Sequence, residues 1–330
     1  MLTLGIETSC DETALALVKD GRLLIEKLAS QGDIHAVFGG VVPELASRDH
    51  LRILDPLLQD LWKASSFQGT DLDLIAVARG PGLLGSLLVG MGFAKGLSLS
   101  LGVPLIGVNH LSAHLLAAGL EEELTFPALG LLVSGGHTHI YELLSPVDMR
   151  ILGRTLYDAE GEAFDKIAKL LNLPYPGGVV IDALARLGSP DTSLFSRPYL
   201  DNQNLDFSFS GLKTSVAKYI SQHQKLILPN MPTFEDAMQY ARTHEQLCSF
   251  CASFNWTIAE TLRKKIERAL QRMDGCKGLI VAGGVAANSM IRSVMRDVAE
   301  SWGIKLFMPK LELCTDNAAM IASAAYFLIE

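Results

Sequence analysis

Two histidines four residues apart, in Asn109-His110-Leu111-Ser112-Ala113-His114, follow a strand-like run and open a helix-like one. On a helix this spacing puts both imidazoles on one face, close enough to hold one metal ion. Histidines that only fill a core or a surface show the same spacing. Zinc-protease chemistry needs a glutamate directly after the first histidine, and Leu111 stands there. A third ligand has to come from elsewhere in the chain. Asp316, in Cys314-Thr315-Asp316-Asn317, precedes a helix-like run expected to return to the N-terminal half. With His110 and His114 it makes a two-histidine, one-carboxylate set that suits Fe(II), or Zn(II), and leaves positions open for ligand oxygens. Asp316 reads equally well as a helix N-cap, and it can do only one of these jobs well.

Two loops carry further polar chemistry. In Ser134-Gly135-Gly136-His137-Thr138, adjacent glycines let backbone amides approach an anion beside a hydroxyl and an imidazole, although a plain hairpin uses Gly-Gly as readily. Thr8-Ser9-Cys10-Asp11-Glu12 is rich in hydroxyls and carboxylates, which suits a metal, an amine or a bound water better than a bare phosphate; otherwise it is a capped polar turn. Val281-Ala282-Gly283-Gly284 runs from a strand through two glycines toward a helix, where a flat ring can lie against the backbone and Asn288 can reach a ribose or a base edge. Tyr175-Pro176-Gly177-Gly178, Asp165 and Asp182 add carboxylates that can accept from ribose hydroxyls or a substrate amine, or can stand as helix-surface charges.

The elements that position these residues form a repeating order. Strand-like runs at 2–7, 13–19 and 22–28 make a β-meander, followed by helix-like and strand-like stretches in turn at 43–62, 72–78, 85–101 and 104–109. The order restarts near residue 128 with strands at 128–133, 138–144 and 149–154. Helical insertions at 160–171 and 233–273 follow, then a strand at 278–282, a helix at 286–300, a strand at 305–308 and a last helix at 317–329. This is an α/β chain built as a structural duplication, the outline of the actin, heat-shock chaperone and sugar-kinase superfold, with two lobes around a nucleotide-binding cleft. The expected N-terminal lobe is 1–125, with 315–330 packing back on it, and the C-terminal lobe is 126–314.

Length and composition agree with two packed lobes: 330 residues, 49% hydrophobic and 19% charged. The N-terminus lacks a signal peptide's basic start and apolar stretch, and no unbroken apolar run approaches a membrane span, so the expected location is the cytoplasm with no membrane partner. Five scattered cysteines argue against a disulfide framework, and Cys248 and Cys251 read as buried core thiols. Arg263-Lys264-Lys265 reads as a solvated helix face. A net charge of −8 lacks the usual footprint of a nucleic-acid binder, so any RNA has to be held by a local basic patch, by a partner or weakly.

Several motifs together carry a resemblance: Gly5-Ile6-Glu7-Thr8-Ser9-Cys10-Asp11-Glu12-Thr13, Gly39-Gly40-Val41-Val42-Pro43-Glu44-Leu45-Ala46-Ser47-Arg48, the 110–114 and 134–138 segments, Phe207-Ser208-Phe209-Ser210-Gly211-Leu212-Lys213-Thr214 and Thr315-Asp316-Asn317. In this order, across nearly the whole chain, they resemble the tRNA threonylcarbamoyladenosine synthase family, TsaD, formerly called O-sialoglycoprotein endopeptidase. The resemblance implies transfer of a threonylcarbamoyl group from threonylcarbamoyl-AMP to the N6 amine of the adenosine 3′ of the anticodon, in tRNAs reading codons that begin with A, with release of AMP. It implies His110, His114 and Asp316 as metal ligands, and Leu132, Val133, Ser134, Gly135, Gly136, Asp165, Gly178, Asp182 and Asn288 as adenylate contacts. Asp11, Glu12 or His137 would accept the proton, and the sequence does not choose among them. In bacteria it also implies an inactive paralogue (TsaB-like) and a small ATPase (TsaE-like) as partners, beside tRNA.

Three rival readings make different demands. A small-molecule kinase on the same superfold predicts ATP turnover and gives no reason for His110, His114 and Asp316 to converge. A non-catalytic, nucleotide-regulated scaffold would tolerate loss of that set. A metalloprotease is opposed by Leu111.

Overall fold

In the computed structural model β1 (Leu2–Glu7), β2 (Glu12–Lys19) and β3 (Arg22–Ser30) form an antiparallel meander. The short helix α1 (Gly32–Ala36), α2 (Pro43–Ala64), β4 (Leu74–Gly80), α3 (Leu84–Leu101), β5 (Leu105–Asn109) and α4 (His110–Leu116) follow. A second series runs β6 (Ala128–Val133), β7 (Thr138–Leu143), β8 (Met149–Tyr157), α5 (Glu160–Leu170), α6 (Gly177–Ala185), β9 (Phe207–Ser208), α7 (Ser210–Gln222), α8 (Phe234–Ala241) and α9 (Glu245–Leu270). It ends with β10 (Gly278–Ala282), α10 (Ser289–Trp302) and β11 (Lys305–Phe307), and α11 (Ala318–Ile329) closes the chain. The structure describes residues 1–330 other than Val37, Gly39, Asp158, Ala159, Asp201, residues 230–232 and Glu330. Gly39, which opens the 39–48 motif, therefore lies outside the described residues.

Two compact units result: Met1–Leu124 with Ser145–Met149 and Pro309–Glu330, and Thr125–Leu144 with Arg150–Met308. In the first, the sheet order is β3-β2-β1-β4-β5, with β4 parallel to β1 and β5 parallel to β4. Its strands are covered on both faces, and the period-two alternation divides the residues between them. Leu4, Ile6, Leu15 and Leu17 pack with Leu54, Leu58 and Leu61 of α2. Ala14, Ala16 and Val18 pack with Ala318, Ala319 and Ala322 of α11. The second face carries small residues, and this lets the helix come close: a Cβ on Gly5 would stand 2.2 Å from the carbonyl oxygen of Ala318.

The second unit has the order β11-β10-β6-β7-β8-β9, with β10 parallel to both β6 and β11. Each sheet thus sets a meander (β1-β2-β3, β6-β7-β8) beside parallel strands joined through a helix (β4-α3-β5, β10-α10-β11), which is the duplicated α/β fold expected. Leu129, Leu131 and Val133 of β6 meet Phe164, Ile181, Phe254, Ile258 and Leu262 in one core. Cys248 and Cys251 are buried there as free thiols.

Two details differ from the sequence-based reading, and a third adds to it. The helical stretch 233–273 is two helices, broken where the ring of His244 stacks on Tyr240 at 3.7 Å and its Nδ1 meets the Tyr240 carbonyl. Lys265 does not belong to a solvated face. It is fully buried, with Nζ donating to Asn202 Oδ1 at 3.0 Å and the Asn204 carbonyl at 2.9 Å. Among the described residues α3 is the one helix long and apolar enough to cross a membrane by length and composition. It packs against α2 and β4 within the first unit.

Candidate functional site

β5 delivers the chain to α4, whose first residue is His110. Asn109 caps this helix, its side-chain oxygen accepting from the amides of Leu111 and Ser112 at 3.0 and 3.1 Å. The cap fixes the first turn, so the rings of His110 and His114 lie together with centroids 4.6 Å apart. Asp316 reaches them from the residue pair before α11. It is not the cap of that helix: Asn317 Oδ1 accepts from Met320 N at 2.8 Å, and Glu26 from β3 accepts from the amides of Ala318 and Ala319. With capping assigned to Asn317 and Glu26, Asp316 is left for the histidines.

Asp316 Oδ1 lies 3.1 Å from His114 Nε2 and 3.5 Å from His110 Nε2. One ligand atom from each of the three residues lies within 4.8 Å of the others. Separations of this size are those of neighbouring ligands about a single ion with bonds of about 2.0–2.2 Å. His110 Nδ1, on the far side of its ring, is 3.0 Å from Glu7 Oε2, and Glu7 is fully buried. This is the carboxylate–histidine arrangement that fixes a ligating imidazole's tautomer and raises its basicity. The donor set therefore fits a divalent metal.

The charges agree. Burial opposes protonation of His110, but Glu7 and then Asp316 outweigh it and hold its pKa well above the usual value. For Asp316, burial would raise the pKa, and His110 and His114 overcome it and hold the carboxyl well below the usual range. Glu12 is pushed up to about 9 by burial and by the charges of Asp11 and Asp316. At neutral pH and without a cation, Glu12 keeps its proton, and so starts as an acid rather than a base. Cys10 is driven the same way by burial and Asp11.

The 8–12 loop is pinned rather than loose. Thr8 Oγ1 donates to the Ser86 carbonyl at 3.0 Å, Leu83 N to the Ser9 carbonyl at 2.8 Å, and the amide of Ser9 to Glu7. His50 of α2 donates from Nε2 to the Cys10 carbonyl at 2.9 Å while Thr13 Oγ1 bonds its Nδ1 at 2.8 Å. Burial lowers the His50 pKa, which keeps the ring neutral for this paired role.

The other predicted residues lie in the second unit. Leu132 and Val133 are buried at the end of β6, and Ser134, Gly135 and Gly136 form the turn into β7. β10 pairs in parallel with β6, Ala282 opposite Leu132, so the Gly283-Gly284 turn leaves the same end of the sheet. That end is where ligands bind in open α/β sheets. Gly283 adopts φ +96°, and a Cβ there would stand 2.4 Å from the Val133 carbonyl oxygen. Helix α5 begins against the same turn, Glu162 N donating to the Gly135 carbonyl at 3.1 Å.

Asp165 Oδ1 accepts from Gly177 N at 2.9 Å, tying α5 to the Gly177-Gly178 start of α6. Asp182 Oδ1 accepts from Ser289 N, Ser289 Oγ and Asn255 Nδ2, tying α6 to α10 and α9. Asn288 Oδ1 caps α10 through Met290 N and Ile291 N. The structure thus ties Asp165 to Gly177, the neighbour of Gly178, and Asp182 to Ser289, the neighbour of Asn288. Asp182 Oδ1 and Asn288 Oδ1 are already engaged, and Asp182 Oδ2 lies 3.3 Å from Arg186. His137 is half-buried beside His139, ring centroids 5.4 Å apart. Burial, then the charges of His137 and Arg154, push His139 down to about 4.

The family model for TsaD, tRNA N6-adenosine threonylcarbamoyltransferase, matches residues 22–323. The curated tRNA N6-adenosine threonylcarbamoyltransferase of Maridesulfovibrio salexigens is 60% identical over 328 residues, covering 99% of this chain and 92% of the relative. That of Solidesulfovibrio magneticus is 60% identical over 331 residues, covering 100% and 89%. The chain belongs to the TsaD family. Solved structures agree on the fold alone. Full-length HypF in its phosphate- and nucleotide-bound form matches with TM-score 0.62 at 13% identity, over 100% of this chain and 46% of that one. Component A of the Acidaminococcus fermentans (R)-2-hydroxyglutaryl-CoA dehydratase matches with TM-score 0.51 at 14% identity, over 99% and 98%.

Within this TsaD-family chain, sequence reasoning passed over three supporting residues: Glu7, Glu26 and His50. Glu7 carried a signal. It is an acid closing an otherwise apolar strand, two residues from Gly5 and so on the sheet face that receives α11.

Proposed function

We propose that this chain transfers the threonylcarbamoyl group of threonylcarbamoyl-AMP to the N6 amine of the adenosine 3′ of the anticodon in tRNAs reading codons that begin with A. In the step, N6 attacks the carbamoyl carbon, a C–N bond forms, the bond to the phosphate oxygen breaks, AMP leaves and the amine gives up a proton. The observation that carries the reading is the convergence of His110, His114 and Asp316, backed by Glu7, in a chain of the TsaD family. A small-molecule kinase or a nucleotide-regulated scaffold has no use for that set.

His110, His114 and Asp316 would hold one divalent metal, Fe(II) or Zn(II). When bound, such a metal supplies a Lewis acid that polarises a carbonyl or organises a phosphate. The mixed anhydride is already activated, so the protein's part is mainly to position it and neutralise its charge. Backbone amides of the turn at Ser134, Gly135 and Gly136, at the end of Leu132-Val133, suit the phosphate. The Gly283-Gly284 turn, Asn288, Gly178, Asp165 and Asp182 suit the adenosine, with the two aspartates acting on ribose hydroxyls or ordering the surrounding helices. For the proton, Asp11, Glu12 and His137 are the candidate acceptors.

The assignment includes a cytoplasmic location and two protein partners, an inactive TsaB-like paralogue and a small TsaE-like ATPase. Supporting a protein partner, α3 exposes Leu84, Leu88, Met91 and Leu99 along one side, and neighbouring α2 exposes Leu51.

The test is transfer of labelled threonylcarbamoyl from its adenylate to such a tRNA, with metal and both partners present, comparing the chain with His110→Ala. Transfer that depends on His110 supports reaction and metal site together. No transfer from the intact chain under these conditions overturns the reading.

A further inference from the structure

The charge of −8 leaves open how so acidic a chain holds a polyanion, and one place in the second unit departs from that balance. An open cavity of about 380 Å³ is lined by Thr192, Phe195, Ser196, Arg197, Leu200, Lys264 and Arg268. Among the described residues its lining carries three cations and two hydroxyls and no carboxylate. Lys264, Arg268 and Arg272 follow one another at four-residue intervals along the C-terminal end of α9 and past it, so their bases share one side of the helix at steps of about 6 Å. That spacing is comparable to the separation of successive phosphates on a nucleic-acid strand. Cations at this end are also favoured by the helix dipole.

Among the described residues Arg268 and Arg272 are held by carbonyls, and Arg197 and Lys264 each have one longer ion pair. Arg268 donates to the carbonyls of Asn202 at 2.6 Å and Leu200 at 2.8 Å, and Arg272 donates to the carbonyl of Gln203. A guanidinium carries five donors, so carbonyl contacts fix its position and leave charge and hydrogens for an anion. Arg197, 45% exposed, lies 6.0 Å over the Trp256 ring and is only loosely paired with Glu260, at 3.5 Å. Lys264 and Glu267 are likewise 3.4 Å apart. Glu260 and Glu267 are drawn chiefly to Arg263, which bonds both of them more closely. The buried Lys265 holds the 202–204 segment from below, so the wall that positions Arg268 is itself anchored.

We infer that Arg197, Lys264 and Arg268, extended by Arg272, form a docking track for the phosphate backbone of the tRNA substrate, lying in the second unit apart from the metal ligands. This rests on the reading of the chain as a tRNA-modifying transferase. An open, linear track whose flanking carboxylates, Glu260 and Glu267, are held more closely by Arg263 suits successive phosphodiesters better than one enclosed small anion, and contacts of this kind position RNA without reading its sequence.

The experiment measures binding of a fluorescently labelled tRNA by the full chain with its partners, across a salt series, for the intact protein and for Arg197→Gln/Lys264→Gln. Both side chains are at the surface and Glu260 keeps Arg263, so the double variant should fold; AMP affinity and metal content are measured alongside as controls. The expected result is a Kd weakened by about tenfold at low salt, with the slope of log K against log salt smaller by about 2, and with recovery in Arg197→Lys/Lys264→Arg. An unchanged Kd and slope in a preparation that still transfers threonylcarbamoyl overturns the track and leaves the functional reading intact. Absence of transfer by the intact protein overturns the functional reading instead. Loss of binding to inorganic phosphate with tRNA affinity unchanged also overturns the track, marking a small-anion site.

Discussion

Glu7 Oε2 lies 3.0 Å from His110 Nδ1, on the side of the ring turned away from Asp316. Glu7 is fully buried, and its other oxygen accepts from the amide of Ser9, so its rotamer is fixed by the 8–12 loop. Glu7→Gln keeps the shape and one acceptor but loses the charge that favours a hydrogen on Nδ1. Losses of this kind typically cost 10–100-fold in metal affinity. Competition against a chromogenic chelator should show a weakening of about that size, while circular dichroism remains that of the parent. Equal metal affinity in parent and variant would mean that Glu7 is only a buried packing partner.

The approach of α11 to β1 makes a second test. A methyl group on Gly5 would meet the Ala318 carbonyl at 2.2 Å and the Ala322 Cβ at 3.0 Å. Backbone cannot yield as a side-chain tip can, so Gly5→Ala should push the start of α11 outward, at a cost of about 1–3 kcal/mol. Asp316 stands two residues before that helix and should move with it. The expected outcome is a lower denaturation midpoint together with reduced metal content at a fixed metal concentration. Loss of stability with metal content unchanged would separate the helix packing from the ligand geometry.

What was legible in the sequence was what local rules encode. Histidines four apart share a helix face, whereas the choice between ligand and N-cap for Asp316 was open until Asn317 and Glu26 were seen to cap the helix. The order of meander and parallel strands was readable from periodicity. Glu7 was harder, because its partner is 103 residues away and nothing local names it. Arg263-Lys264-Lys265 was misread for a geometric reason: three consecutive helical residues point about 100° apart and so span about 200°, and on a helix with most of its residues buried they cannot all face solvent. Lys265 turns inward, where burial and the neighbouring Arg268 lower its pKa to about 8. Its amide and carbonyl partners come from a loop some 60 residues earlier.

His139 gives the pH prediction. Its imidazole is half-buried on β7, 3.1 Å from the Tyr141 hydroxyl, and burial with the charges of His137 and Arg154 brings its pKa down to about 4. An unfolded chain takes up this proton near 6.5, so between 6.5 and about 4 the unfolded state holds more protons than the folded one. Stability is therefore full above 6.5, declines as pH falls through this window, and has lost the whole contribution below about 4. His139→Gln should flatten that limb of a denaturation-midpoint series, and the His139 ring resonances in the parent should titrate near 4. Titration near 6.5 would remove the prediction.

Gly283 tests the adenylate turns independently of the metal ligands. At φ +96° it occupies backbone space that residues with a side chain rarely adopt, and a Cβ would stand 2.4 Å from the Val133 carbonyl and 2.8 Å from its carbon. Both contacts are backbone, at the end of the sheet where the Ser134–Gly136 turn begins. Gly283→Ala should therefore cost about 1–3 kcal/mol in stability through strain, and should shift the two glycine turns relative to each other. If those turns hold the adenylate, AMP affinity measured by calorimetry falls at least tenfold, while metal content stays at the parent level because His110, His114 and Asp316 belong to the other unit. AMP affinity that survives in a folded Gly283→Ala protein would move the adenylate away from these turns, and with it the roles given to Asn288 and Asp182.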